Sequence, residues 1–289
     1  MNWESIRDTL WPGIDTSFWL AVAYWAILVL LAGFELLVPQ LLESKRDQRW
    51  PTNFGLGFIV MAFVPLSPVS ALLVADWARN HHVGLLNMLD DSWWPLAALA
   101  TFTIQSLVSY VTHFVEHKVP WLWRLHRVHH LDTAIDVSTG VRHHPVEFFV
   151  TLAFDIFAVI VFGLMPWALI LYGTIDGIFS LLTHANIKYP QRVDHALRLI
   201  LVTPRIHAIH HSSYQPETDS NYGGLFTVWD RVFGTYNDRR ADRPHAIQYG
   251  LSEVQDDRAA DFWWQLKSPV LNLDGDRPIL PARSEPNVS

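Results

Sequence analysis

Histidines in repeated, closely spaced motifs are the residues best suited to chemistry in this chain. A motif of the form H-x-x-H-H occurs twice, and a shorter H-x-x-x-H pair precedes the first copy. Residues three and four positions apart share one face of a helix, so each motif can present two or three imidazoles in one direction. Neutral imidazole binds iron, zinc, copper and nickel, and the motifs therefore predict a metal site. The histidines are His113, His117, His126, His129, His130, His207, His210 and His211.

His184 is a ninth candidate ligand, because the apolar segment before it is expected to deliver it to the same place. A single ion takes roughly four to six ligands, so nine histidines predict a site with two ions. Asp176, two turns before His184, is expected to point toward the site or to make a buried helix contact. His144 is expected to be a ligand, a support for a ligand or the start of a helix. The isolated histidines are expected on the surface or satisfied in the core: His81, His82, His195 and His245.

The composition favours a membrane protein. Of the 289 residues, 50% are hydrophobic, 14 are tryptophan and only 17% are charged, against about 25% charged in a typical soluble domain. The net charge of −7 excludes a broadly basic nucleic-acid-binding protein. The chain has no cysteine, so it has no disulfide, no thiolate ligand and no iron–sulfur cluster of its own. Any electrons that it uses must come from a partner. The N-terminus lacks the basic region of a signal peptide, so the first apolar segment is expected to remain in the mature protein.

Apolar segments predict an all-α membrane bundle of about four or five segments. Three of these segments are 18–38, 54–75 and 93–112, and Pro65 and Pro68 are expected to kink the second. The fourth apolar stretch, 148–183, would be about 54 Å long as one helix. That length exceeds the bilayer core, so the stretch is predicted to fold as two helices that meet near Met165 and Pro166. A re-entrant hairpin is the alternative.

The loops predict one orientation. Basic residues follow the first and third segments, which indicates that both loops are cytoplasmic and the N-terminus is outside. All the histidine clusters then reach the cytoplasmic side, where they would form a histidine-rich helical cap. Arg124, Arg127 and Arg205 are expected to anchor the chain at the membrane surface, or to bind a lipid headgroup or an acidic electron donor. The basic residues of these two loops are Lys45, Arg46, Arg49, Lys118, Arg124, Arg127 and Arg142.

Three regions are predicted along the chain. Residues 1–90 carry the first membrane segments, 91–250 form the catalytic domain with the histidine clusters, and 251–289 form a C-terminal cytoplasmic tail. Within the last region, 256–267 is predicted as a short helix whose aromatic residues dock on the core or on the membrane surface.

The motifs and their surroundings resemble the fatty acid hydroxylase / sterol desaturase superfamily of integral-membrane di-iron oxygenases. The resemblance covers residues 90–250 and is carried by the histidine motifs, by 142–147, 184–186 and 203–211, and by 221–236. Two positions depart from the family pattern. Phe114 follows the first histidine where the family commonly has arginine, and an upstream aspartate is replaced by the polar residues Gln105, Ser106 and Ser109.

The resemblance implies an O2-dependent oxidation of an unactivated C–H bond in a lipid, either hydroxylation or desaturation. It implies two iron ions that cycle between Fe2+ and Fe3+ on the nine histidines, with zinc as a substitute. His144, Asn186 and Asp176 would be further ligands or supports. The partners implied are a bilayer lipid (fatty acyl chain, sterol, carotenoid or alkylglycerol) and an external electron donor such as a ferredoxin, a cytochrome or a reductase. The implied location is a plasma, inner or endoplasmic-reticulum-type membrane.

Two other classes of function also fit the histidines. One is a membrane protein that binds or transports zinc through a histidine relay, although the histidines gather at one face and do not run along the spans. The other is a catalytically silent relative with a structural zinc site.

Overall fold

The structure is a computed structural model that describes residues 16–42, 45–67 and 69–273. It is all-helical, with no β-strand in these ranges, as predicted. The α-helices are α1 Thr16–Leu37, α2 Arg46–Leu66, α3 Ala71–Asn80, α4 Trp94–Lys118, α5 Pro120–His130, α6 Glu147–Phe162, α7 Pro166–His184, α8 Gln191–Leu197, α9 Pro204–His210, α10 Gln215–Thr218, α11 Val228–Phe233 and α12 Phe262–Lys267. Short 3-10 helices are Leu85–Met88, Asp91–Trp93, Thr139–Val141, Pro244–Ala246, Asp257–Ala260 and Ser268–Val270.

Two helices in the described part of the chain, α4 and α7, are long and apolar enough to cross a membrane. The apolar part of α1, Val22–Leu37, is shorter. The stretch 148–183 forms two helices, as predicted, with the break at residues 163–165, immediately before Pro166. Pro166 opens α7 because a proline at the first helical position loses no hydrogen bond there.

The second apolar segment is divided where a kink was predicted. Helix α2 ends at Leu66, and α3 begins at Ala71 after Ser70 caps it by accepting from the backbone N–H of Leu73 at 3.2 Å. Pro65 lies in the last turn of α2, and Pro68 lies outside the described residues. A proline has no N–H group to donate to the preceding helical turn, and the residue before a proline disfavours the helical conformation. The prolines of this segment therefore explain why α2 ends and a separate helix, α3, follows.

Four helices carry histidines to one place. Helix α4 packs against α5, α6 and α7, while α7 also packs against α1 and α9. Helices α4 and α5 are joined only by Val119, so Pro120 at the start of α5 turns the chain sharply after Lys118. The histidine-bearing C-terminal halves of α4, α5, α7 and α9 thus converge.

The close approach of two glycines holds the α6–α7 turn. Gly163 ends α6 with φ 67°, and Gly84 has φ 92°. A Cβ on Gly84 would lie 2.2 Å from the backbone nitrogen of Gly163, so no side chain fits.

We expect Gly84→Ala to destabilise the fold by about 2 kcal/mol or more, because it adds left-handed strain to a backbone clash. Thermal unfolding in detergent measures the effect. Gly173→Ala is the matched control, since nothing lies within 4 Å of its Cβ position in α7. A Gly84→Ala protein as stable as the control would contradict this packing.

The first part of the predicted C-terminal tail is packed against the protein. Helix α12 lies against α2, and Trp264 packs on a buried cluster that includes Trp123 and Leu251. Ser268, within the predicted tail, is fully buried in a 3-10 helix. The stretch 256–267 forms a 3-10 helix and α12 instead of one helix, and Trp264 docks on the core as predicted while Trp263 is 69% exposed. Residues 274–289 lie outside the described residues.

Three basic residues used to predict orientation are buried. Arg49, Arg127 and Arg142 are 2%, 1% and 0% exposed. Arg127 donates to the carbonyl oxygens of Ser268 and Leu271, so it is not the surface anchor that was predicted. These arginines hold the protein together, and the positive-inside argument rests on fewer residues than the sequence indicates.

Candidate metal centre

All nine predicted histidines lie together, in two groups. Within each group the candidate ligand atoms lie within 4.8 Å of one another. His130 and His211, one from each group, stack with ring centroids 4.6 Å apart, so the groups share a wall. The first group is His113, His117, His126, His130 and His210; the second is His129, His184, His207 and His211.

Each H-x-x-H-H motif contributes to both groups. His126 and His130, four residues apart, belong to the first group, whereas His129 belongs to the second. The second motif is the mirror case, because His207 and His211 belong to the second group and His210 to the first. Consecutive helical residues are turned about 100° from one another, so the adjacent histidines of each motif diverge. Neither motif therefore forms one group by itself, because each contributes one histidine to the group that holds two histidines of the other motif.

The spacing of the ring nitrogens fits bound metal ions. In the second group, Nε2 of His184 lies 3.1 Å from Nε2 of His129 and His211 and 2.9 Å from Nε2 of His207. Two nitrogens that each lie about 2.1 Å from one ion, with an N–ion–N angle of about 90°, are about 3 Å apart. In the first group, Nε2 of His126 lies 3.1 Å and 3.2 Å from Nε2 of His113 and His130.

Backbone carbonyls fix the tautomer of four histidines. A carbonyl oxygen only accepts, so each of these Nδ1 atoms carries the proton and leaves the Nε2 lone pair for a metal. Nε2 of His210 is buried and has no hydrogen-bond partner among the described residues, as expected of an atom that binds a metal. The Nδ1 donors and their acceptors are His113 to Tyr222 (2.8 Å), His129 to Arg142 (3.1 Å), His184 to Ser180 (2.6 Å) and His210 to Ser220 (2.7 Å).

Burial keeps the ligands neutral. Desolvation lowers the pKa of His130 and His207 well below the ordinary value, and it lowers the pKa of His210 to about 3. Neighbouring imidazoles add to the effect, because two charged rings at this distance repel each other. The rings are therefore unprotonated at Nε2 at neutral pH, which is the form that binds metal.

Glu147 supports the first group from behind. Its Oε1 accepts from Nδ1 of His126 at 2.8 Å and lies 3.0 Å from Nδ1 of His143. The His143 ring stacks on His129 at 4.4 Å, so this residue touches the second group as well. Glu116, buried next to His117, has one carboxylate oxygen 3.6 Å from Nδ1 of His126.

We expect Glu147→Gln to weaken metal binding at the first group by about 10- to 100-fold, because a carboxylate behind a ligand histidine orients the ring and raises its basicity. Chelator competition monitored by metal analysis measures the change. Glu253→Gln is the control, since the Glu253 carboxylate accepts from the adjacent Ser252 hydroxyl and belongs to neither histidine group. Equal metal retention in both variants would show that Glu147 does not support the site.

Three predicted candidates lie outside both groups. Nε2 of His144 lies 3.3 Å from the carbonyl oxygen of Leu266, and its Nδ1 accepts from a backbone N–H. Asn186 holds the backbone of Leu41 through its side-chain amide. Asp176 accepts from Tyr172 at 3.2 Å, within the helix bundle. The isolated histidines His81, His82, His195 and His245 are also absent from the groups.

His143, Glu116 and Glu147 contact the histidine groups but were not among the predicted functional residues. A signal for two of them exists, because His143 and Glu147 are four residues apart and directly follow the first H-x-x-H-H motif. Since the chain bends between Asp132 and Arg142, only the fold decides which histidine of the 143–144 pair faces the centre.

A cavity of about 770 Å³ opens onto the centre. Histidines of both groups line one end, and apolar side chains of α1, α2, α3, α6 and α7 line much of the rest. An apolar passage that ends at a cluster of metal-binding groups suits a long, water-insoluble substrate.

Comparison with known proteins gives concordant results. Residues 98–235 match the fatty acid hydroxylase family model. Ornithine lipid hydroxylase OlsE of Rhizobium tropici is 25% identical over 275 residues, which cover 86% of this chain and 80% of that protein. Alkylglycerol monooxygenase of Caenorhabditis elegans is 28% identical over 58% of this chain and 31% of its own length. Human cholesterol 25-hydroxylase is 27% identical over 44% of this chain and 46% of its own length.

No solved structure matches the chain. This chain spans most of the bacterial relative but less than half of the two animal proteins. The family match covers α4 through α11, which is the part that contributes every histidine of both groups. The family match and the similar hydroxylases and monooxygenases confirm the resemblance of this part of the chain to the fatty acid hydroxylase / sterol desaturase superfamily.

Proposed function

We propose that this protein is an O2-dependent oxidoreductase that hydroxylates or desaturates a C–H bond of a lipid with two iron ions. The observation that carries the proposal is the cavity, which joins apolar helix faces to both histidine groups. The names of the three relatives support hydroxylation of a lipid in general.

The nine histidines would hold the irons, and Glu147 would support the ring of His126 from behind. Bound iron would supply the reduction of O2 that an unactivated C–H bond requires. In hydroxylation, one oxygen atom enters the lipid and the other leaves as water, with two electrons from a donor and two protons. The chain's own task is to position the lipid chain and to exclude water, and the apolar cavity walls suit both purposes.

The membrane setting is part of the proposal. Large apolar side chains of α1 are exposed, among them Leu30 at 71% and Leu37 at 79%, and a lipid environment would cover them. The lipid would enter the cavity from the bilayer, with the centre at the cytoplasmic face and four or five segments in the membrane. The electrons would come from an external donor, because the chain has no cysteine for an iron–sulfur cluster.

We expect anaerobically purified protein to contain iron and to convert a host lipid when O2 and reductant are added. Mass spectrometry measures the metal content and the lipid product. Omitting O2 is the control and should abolish the product. Protein that holds only zinc, and that forms no product after reconstitution with iron, would favour a zinc-binding or transport role and overturn the proposal.

A further inference from the structure

Three polar side chains from three helices form a separate layer inside the cavity. Gln105 of α4, Asp155 of α6 and Asp176 of α7 all line it. Nε2 of Gln105 donates to Oδ1 of Asp155 at 2.6 Å, and Asp176 accepts from the hydroxyl of Tyr172. The walls around this layer are mainly apolar, so the position of these groups is unusual.

The three members of the layer lie at the same distance along their helices from the metal centre. Each member lies eight residues along its helix from a residue at the centre: Gln105 from His113, Asp155 from Glu147 and Asp176 from His184. At the rise of an α-helix, eight residues correspond to about 12 Å. Three helices therefore place polar groups at one common height above the centre.

The layer has acceptors in excess of donors. Oε1 of Gln105 is buried and has no hydrogen-bond partner among the described residues, and this side chain is only 8% exposed. Its Nε2 is committed to Asp155, so the free atom is an acceptor. No lysine or arginine in the described part of the chain lines the cavity to neutralise the two carboxyl groups. A buried carboxylate requires a cation or hydrogen-bond donors.

We propose that this polar layer binds a primary ammonium group of the substrate, about 12 Å from the carbon that is oxidised. An ammonium group has three N–H donors and a positive charge, which match Asp155, Asp176 and the free oxygen of Gln105. A hydroxyl group offers one donor and no charge. The inference rests on the proposed function and narrows its substrate to amino lipids.

The test is binding of tritiated hexadecylamine to the purified full-length protein in a neutral detergent, without O2 or reductant. We expect unlabelled hexadecylamine to displace the label at about tenfold lower concentration than hexadecanol, since the charge pairs only with the amine. The double variant Asp155→Asn with Asp176→Asn should lose this preference while it still binds hexadecanol.

Asp76→Asn makes the same chemical change on an exposed residue of α3 and should leave the preference unchanged. Equal displacement by the amine and the alcohol in the wild type would overturn the inference, as would a preference that survives in the double variant. If the double variant does not fold, the wild-type comparison decides alone. Because the binding measurement needs no turnover, its result does not depend on whether the oxidation reaction is observed.

Discussion

Replacing His129 or His210 with alanine should reduce product formation to below about 1% of wild type, because loss of a mere supporting partner already weakens a metal site 10- to 100-fold. The two variants should do so by different routes. His129 belongs to the group with His184, whereas His210 belongs to the group with His113. Each variant should therefore lose a different ion and keep much of the other.

Metal analysis together with a lipid assay checks this expectation. The iron content of each variant should fall to about half of the wild-type content, as expected if one of two ions is lost. His81→Ala is the control, since His81 is exposed and stacks on Trp77 outside the centre. Equal loss of activity in all three variants would contradict the assignment. A variant of His126 should resemble His210→Ala more than His129→Ala, although His126 and His129 share a motif.

Arg49→Met should destabilise the protein by about 3–5 kcal/mol, the usual cost of leaving a buried charge without its partner. Arg49 makes a bidentate ion pair with Asp132, with Nη2 to Oδ2 at 2.8 Å, and also contacts Asp136. Although burial raises it, the pKa of Asp132 is lowered to about 2 by Arg49, so the carboxylate stays charged in the folded protein. Removing the arginine leaves that charge in a site that is 1% exposed.

Denaturant unfolding in detergent measures this effect. The double variant Arg49→Met with Asp132→Asn should be less destabilised than the sum of the single changes, because neither partner then leaves a full charge behind. Lys45→Met is the matched control, since Lys45 pairs with Asp257 at the surface and should contribute little. If Arg49→Met and Lys45→Met unfold alike, the buried network has no special role in stability.

The sequence was enough to predict the helical fold and the gathering of the nine histidines. Helical spacing and the order of apolar segments determine both. The division of each motif between the two groups could also be predicted in principle, because His129 and His130 must point about 100° apart on one helix. Which neighbour each ring meets depends on how α5 packs against α9, and spacing within one helix carries no such information.

Other features depended on contacts between distant parts of the chain. His143 and His144 are adjacent and chemically identical, yet one faces Glu147 and the other faces Leu266. Arg127 and Arg142 look like loop charges in sequence, but each donates to backbone carbonyls from the last part of the described chain. Local patterns cannot show that a charged residue has a buried acceptor more than a hundred positions away.

The packing of residues 251–273 has a consequence for the order of assembly. Arg142, whose carbonyl oxygen orients His129, also donates to the carbonyl oxygen of Ala259 at 2.8 Å. During synthesis on the ribosome, all nine histidines emerge before Ala259 does, and chains begin to fold from the N-terminus as they emerge. The support behind His129 is thus completed only after the last histidine has been made. Maturation of the second group is then expected to be a late event, with metal binding there only after elongation past the helices that carry the histidines.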